Sequence, residues 1–168
     1  STLCNGDSSG TISVSANSNF LSTVTYSLLA PSPTPYQASG IFNNLPAGFY
    51  TVEALDANNC PIQTTVQITE PSILQLNIST NDVSCNGGTD GSIIAVPTGG
   101  TGGHLVNLLP GNLSIPSGTF INIISGNYIV TVLDQNGCTT SRGISISEPP
   151  PLTLNVSTKN ASCPEGTD

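Results

Sequence analysis

Residues 48–60 read Gly-Phe-Tyr-Thr-Val-Glu-Ala-Leu-Asp-Ala-Asn-Asn-Cys, and residues 126–138 read Gly-Asn-Tyr-Ile-Val-Thr-Val-Leu-Asp-Gln-Asn-Gly-Cys. From the tyrosine onward, every second side chain is apolar, which is the period of a β-strand with one buried face. The Asp and Asn residues that follow are typical of a hairpin turn, because Asn and Gly tolerate a positive φ. This stretch therefore predicts a strand followed by a hairpin, and its recurrence predicts a repeated fold.

Working outward, other motifs recur in the same order. Cys4-Asn5-Gly6 returns as Cys85-Asn86-Gly87, Glu70-Pro71 returns as Glu148-Pro149, and residues 74–79 return as residues 152–157. A third opening motif begins at Cys163. Self-similarity at a fixed spacing is the signature of a repeat protein. The sequence predicts repeat 1 at residues 1–80, repeat 2 at 81–158, and at 159–168 the start of a third repeat or a junction between subunits.

Both repeats have the pattern of short strands separated by turns, with no helical stripe. Period-2 alternation recurs near residues 11–16, 50–55, 62–68 and 74–79, and Pro-rich segments at 31–35 and 149–151 interrupt pairing. We therefore expect an all-β chain of two tandem immunoglobulin-like β-sandwich repeats.

The charge composition excludes several classes of function. Only 7% of the residues are charged, against about 25% in ordinary soluble domains. The net charge is −8, with two Lys and Arg residues in total, so binding along a nucleic-acid backbone and a polybasic membrane contact are not expected. No apolar run is long enough to span a bilayer, so membrane insertion is not expected either. The composition is typical of an extracellular protein with a hydroxyl- and amide-rich surface.

The cysteines are expected to form disulfides within each repeat. Equal placement in the two repeats and a count of four strands between the cysteines of a repeat predict the bonds Cys4–Cys60 and Cys85–Cys138. A bond of this loop size stabilises a small domain by roughly 4 kcal/mol. Cys163 is left over and is expected to pair with the next repeat or to remain unpaired; the alternative for all five is that they stay reduced.

The motifs resemble the SprB-type repeats of very large cell-surface proteins in gliding Bacteroidetes. Residues 85–93 match the opening of that pattern, and Gly99-Gly100-Thr101, residues 126–130, residues 134–138 and Glu148-Pro149-Pro150 follow in order. The aromatic strand that the family carries after the Gly-Gly-Thr turn is absent. The resemblance implies immunoglobulin-like modules in tandem on a surface adhesin, and it implies no catalytic residue.

Two kinds of modification or ligand site are weighed. Asp7, Asp56, Asp90 and Asp134 are candidates for calcium, expected in pairs at one end of each repeat, but turn capping by each Asp is the favoured interpretation. Sequons at Asn77, Asn112, Asn155 and Asn160 are candidates for glycosylation. No other metal site and no cofactor are expected.

The function predicted is structural rather than enzymatic: a module of an extracellular filament or cell-surface adhesin that assembles head-to-tail with copies of itself or with adjacent repeats. We hypothesise that residues 152–157, like 74–79, complete the following module by β-strand addition. The alternative is a carbohydrate-binding adhesin module, for which Tyr36, Phe42 and Phe120 are the spare aromatic residues. An enzyme would depend on the single histidine, His104.

Overall fold

A computed structural model describes residues 1–16 and 23–159. The fold is all-β, as predicted. The described residues form twelve strands, and their bounds are β1 Gly10–Ser13, β2 Thr25–Ala30, β3 Ile41–Leu45, β4 Gly48–Leu55, β5 Pro61–Ile68, β6 Gln75–Asn81, β7 Gly91–Thr98, β8 Leu105–Leu109, β9 Leu113–Ile115, β10 Thr119–Ile123, β11 Gly126–Leu133 and β12 Thr139–Ile146. No helix in the described ranges has the length and hydropathy to cross a membrane.

Strands β6–β12 form one complete sandwich, which we call module 2. One sheet has the order β10-β7-β6, and the other has the order β12-β11-β8-β9, with every pair antiparallel. Three strands facing four, connected in this order, make an immunoglobulin-like sandwich. The inward side chains of both sheets form one core, in which Ile93, Val106 and Val130 are fully buried.

Strands β1–β5 form a second sandwich, which we call module 1. Its sheets have the orders β1-β3 and β2-β4-β5, and they enclose a separate core around Leu28, Tyr50 and Val52. Strands β1, β2, β3, β4 and β5 correspond, in that order, to β7, β8, β10, β11 and β12 of module 2. Module 1 therefore has, among its described residues, no counterpart of the first strand β6 or of the short strand β9.

The boundary between the modules lies earlier than the predicted one at residue 80. Strand β6 is hydrogen-bonded along its whole length to β7, from Gln75 opposite Thr98 to Asn81 opposite Ser92. Its apolar side chains Leu76 and Ile78 pack against the core of module 2. The connection therefore runs from the end of β5 at residue 68 to the start of β6 at residue 75, because backbone pairing assigns the strand to the module that follows it.

Candidate functional site at the module ends

The two ends of each module carry different loops. The opening loop, residues 82–90 in module 2, lies between β6 and β7, and the closing hairpin, residues 134–138, joins β11 to β12. Val83 N donates to Ser147 O, and Gly87 N donates to the Glu148 carboxylate. The opening loop is thus tied to residues that follow β12, whereas the closing hairpin precedes β12. The eight residues of β12 separate the two loops by roughly 26 Å.

This separation makes the predicted disulfides Cys4–Cys60 and Cys85–Cys138 wrong. The structure instead joins Cys4 to Cys138, with 5.7 Å between their Cα atoms, and Cys60 and Cys85 are exposed free thiols. In module 2 the sequence count missed strand β9, which turns the chain once more. That added strand moves Cys138 to the end of module 2 opposite Cys85. In module 1 the segment 31–40 has the same effect, because it carries the chain back from the end of β2 to the start of β3 at the opposite end. Cys163 lies outside the described residues.

The Cys4–Cys138 bond is therefore a bond between modules. It joins the opening loop of module 1 to the closing hairpin of module 2. A hydrogen bond accompanies it, since Asn136 Nδ2 donates to Leu3 O at 2.9 Å. Beside the bond, Leu74 and Thr140 line a shallow pocket with both cysteines. The bond, the hydrogen bond and this pocket form a junction that sequence reasoning did not anticipate.

The four candidate calcium residues do not form the predicted pairs. Asp90 belongs to the opening loop and Asp134 to the closing hairpin, at opposite ends of module 2, and Asp7 and Asp56 are separated in the same way in module 1. Each carboxylate accepts hydrogen bonds from backbone N–H groups of its own turn, which confirms turn capping. Residues 1–16 and 23–159 contain no group of three or more acidic, His or Cys side chains placed to hold a metal ion.

Asp134 is the most enclosed of these carboxylates. Burial raises its pKa, but backbone N–H groups of Thr101, Cys138 and Asn136 and the charge of His104 together hold the pKa below its ordinary value of 3.8. In the opening loops, hydrogen bonding by Ser9 lowers the pKa of Asp7, and hydrogen bonding by Ser84 lowers that of Asp90. In their charged form, these carboxylates thus hold the conformation of the loops.

The remaining candidates are His104, proposed for an enzyme, and the aromatic residues Tyr36, Phe42 and Phe120, proposed for carbohydrate binding. A ring nitrogen of His104 lies 2.9 Å from Gly99 O, and its described hydrogen bonds include no Ser or Thr hydroxyl. Phe42 and Phe120 are buried in the two cores, so they offer no binding platform. Tyr36 is partly exposed, and its hydroxyl donates to the Glu53 carboxylate.

Three of the sequons are accessible. Asn77, Asn112 and Asn155 are all exposed, and Asn77 points away from the core while its neighbours Leu76 and Ile78 pack against it. Asn160 lies beyond the described part of the chain. Glycosylation remains a prediction for these sites.

One edge of module 1 is open where module 2 is closed. Strand β7 pairs with β10 on one side and β6 on the other, whereas its counterpart β1 pairs with β3 alone among the described strands. Beside that open edge is an apolar groove of about 430 Å³, lined in part by Val14, Ala16, Tyr26, Val52, Ala54 and Ile62. Ile62 is 67% exposed although it shares its strand face with buried Ile68. Among residues 1–16 and 23–159, nothing therefore covers this inward-facing apolar side chain.

The counterpart of β6 at the other end of the chain is unpaired. Residues 151–159 have no strand partner in the described structure. Leu152 is 100% exposed, Leu154 87% and Val156 76%. By the 78-residue spacing, their counterparts are Leu74, just ahead of β6, and Leu76 and Ile78 within β6, all of which pack against the core of module 2.

Comparison with known proteins supports the family resemblance. A comparison with curated proteins gives no match. Among solved structures, the chain is similar to the C-terminal 282-residue fragment of intimin, determined in complex with the intimin-binding domain of the translocated intimin receptor, at 15% identity and a TM-score of 0.44. That similarity covers 81% of this chain and 56% of the intimin fragment. The sequence model of the SprB repeat family matches residues 77–104, from within β6 through the opening loop and β7 to the start of β8. The match confirms, over residues 77–104, the resemblance to SprB repeats that was predicted from the sequence.

Proposed function

We propose that this chain is a structural module of an extended cell-surface or extracellular protein, and that successive modules are joined head-to-tail by strand addition. Residues 152–157 of one chain would pair with the open edge of β1 in the next module. The SprB match supports a surface location. The pairing of β6 with the module that follows it is the observation that carries the proposal.

The geometry of β6 supplies the template for this pairing. In module 2, β6 lies beside β12 as well as β7, so it covers the edge where the two sheets meet. The same edge of module 1 lies between β1 and β5 and holds the apolar groove with Ile62. In module 2, Leu74 and Thr140, the counterpart of Ile62, line a common pocket. Leu152 of an incoming strand would therefore contact Ile62.

The incoming strand does not compete with the described residues of the receiving module. The opening motif recurs with a spacing of 81 residues, so Ser1 corresponds to Asp82, the residue immediately after β6. Residues 152–157 correspond to 74–79. An added strand would thus occupy, in module 1, the place that β6 holds in module 2. Backbone hydrogen bonds would provide the affinity, and the alternating Leu and Val side chains would set the register.

Two substitutions on neighbouring positions test this proposal. Leu154→Asp places a charge at the counterpart of the core-facing Leu76, whereas Asn155→Asp places the same charge at the counterpart of the solvent-facing Asn77. A buried leucine is worth about 1.5–3 kcal/mol, so Leu154→Asp should weaken association by at least roughly tenfold.

The measurement is the size distribution of the reduced protein by analytical ultracentrifugation, with negative-stain electron microscopy for chain length. Wild type and Asn155→Asp should form linear chains of similar length, and Leu154→Asp should need at least roughly tenfold more protein to reach that length. Equal association by the two variants, or a monomeric wild type at high concentration, would refute strand addition. A synthetic peptide of residues 151–159 should shorten the wild-type chains by occupying the open edge.

A further inference from the structure

The junction between modules 1 and 2 defines which cysteines meet when two modules abut. Cys4, in the opening loop of module 1, is bonded to Cys138, in the closing hairpin of module 2. The corresponding cysteines that remain are Cys85, in the opening loop of module 2, and Cys60, in the closing hairpin of module 1. Cys85 therefore corresponds to Cys4 and Cys60 to Cys138, but within the described part of the chain neither is bonded to a partner cysteine.

The opening loop of module 2 is held in the same arrangement as the loop that already carries a bond. In both loops an Asn side chain donates to the carbonyl of a following Pro, and a Gly N–H donates to the carboxylate of the Glu before that Pro. The donor and acceptor pairs are Asn5 with Pro71 and Gly6 with Glu70 in module 1, and Asn86 with Pro149 and Gly87 with Glu148 in module 2. Cys85 thus belongs to a preformed copy of the Cys4 surface.

The closing hairpin of module 1 likewise copies that of module 2. In both, one Asp oxygen accepts hydrogen bonds from the backbone N–H groups two and four residues later, at 2.8–2.9 Å. These acceptors are Asp56, with Asn58 and Cys60, and Asp134, with Asn136 and Cys138. Cys60 is presented as Cys138 is, and it is exposed.

Cys60 and Cys85 cannot meet within one chain. Cys60 is at the end of module 1 that faces away from the junction, and Cys85 is at the far end of module 2. Two strands of eight residues lie between them along the stack, which is roughly 50 Å. A disulfide requires Cα atoms within about 7 Å of each other, so these two thiols cannot bond to each other within one chain.

We propose that Cys85 of one chain forms a disulfide with Cys60 of the next, so that every junction of the assembly is covalently locked in the way that Cys4–Cys138 locks the internal one. This inference rests on the proposed head-to-tail assembly, because strand addition at β1 brings the two ends together. The bond forms by thiol–disulfide exchange with a small-molecule disulfide. The Cys85 thiolate displaces one small thiol to give a mixed disulfide, and the Cys60 thiolate then displaces the second. Two protein thiols and one small disulfide thus yield one protein disulfide and two small thiols.

The test uses the full chain with Cys163→Ser, which removes the remaining cysteine from competition. After oxidation with glutathione disulfide, a denaturing gel without reductant should show a ladder in multiples of 17.1 kDa. Peptide mass spectrometry should identify the Cys60–Cys85 linkage. Cys60→Ser and Cys85→Ser, each alone, should give only monomers on this gel. An equal mixture of the two variants has one competent end per chain and should stop at the dimer.

The same samples separate this inference from strand addition. In reductant, ultracentrifugation should still show non-covalent chains for both cysteine variants, because the strand is intact. The protein could form non-covalent chains in reductant and yet yield no Cys60–Cys85 peptide after oxidation. That result would overturn the disulfide while leaving the proposed function in place. A ladder that persists in Cys60→Ser, or a mixture that extends beyond the dimer, would also overturn it. If the wild type shows neither the ladder after oxidation nor non-covalent chains in reductant, the proposed function itself is refuted.

Discussion

Removing the bond between the modules should destabilise the protein more than any other pair of cysteine substitutions. Cys4→Ser combined with Cys138→Ser opens a link between residues that are 134 positions apart. The chain-entropy relation gives about 5 kcal/mol at 25 °C for a loop of this length. The bond lies at the surface of the junction and outside both cores, so the effect should arise from the unfolded chain rather than from lost packing.

Differential scanning calorimetry of the oxidised monomer measures this effect. For a chain of this size, each kcal/mol shifts the melting temperature by about 2–4 °C, which gives a fall of roughly 10–20 °C. The wild type in reductant should melt at the temperature of the double variant, and reductant should not change the variant further. The matched control is Cys60→Ser with Cys85→Ser, which removes two exposed thiols and should leave the monomer's melting temperature unchanged.

The reasoning fails if the control pair loses as much stability as the test pair. It fails equally if the oxidised wild type and the Cys4/Cys138 variant melt together. Either result would mean that Cys4 and Cys138 are not the bonded pair.

Three further substitution experiments test the modules themselves. Leu108→Ala, at a side chain that is 1% exposed, should cost about 2–5 kcal/mol in urea unfolding, whereas Leu105→Ala at a partly exposed side chain should cost clearly less. Gly118→Ala should destabilise by more than about 1 kcal/mol, because its φ is +66° and an added Cβ would collide with Ala95 O. Gly103→Ala, which meets nothing within 4 Å, should be nearly neutral in the same assay. The Asp134 carboxylate, whose pKa is lowered in the folded state, stabilises the protein above its ordinary pKa of 3.8 and loses that effect as the pH falls through the folded value. Thermal melts of wild type and Asp134→Asn should therefore differ at pH 7 and converge toward pH 2, and a gap independent of pH would contradict this assignment.

Much of the architecture follows from short-range patterns. The alternation in residues 50–54 and 128–132 specifies strands, since only a period of two places Tyr128, Val130 and Val132 on one buried face. The recurrence of the motifs specifies two similar modules, and the Asp-containing turns specify hairpins whose carboxylates bond their own backbone. These features depend on neighbours within a few residues, so the sequence alone determines them.

The arrangement of the ends is decided only by the tertiary structure. The pattern of β6 is the same whether it joins the preceding or the following module, and hydrogen bonding to β7 makes the choice. The three-residue strand β9 is too short to give a periodic signal, yet it reverses the chain direction and moves Cys138 to the junction with module 1, opposite Cys85. Which cysteines meet depends on the direction of every strand between them, and so on contacts between residues far apart in the chain.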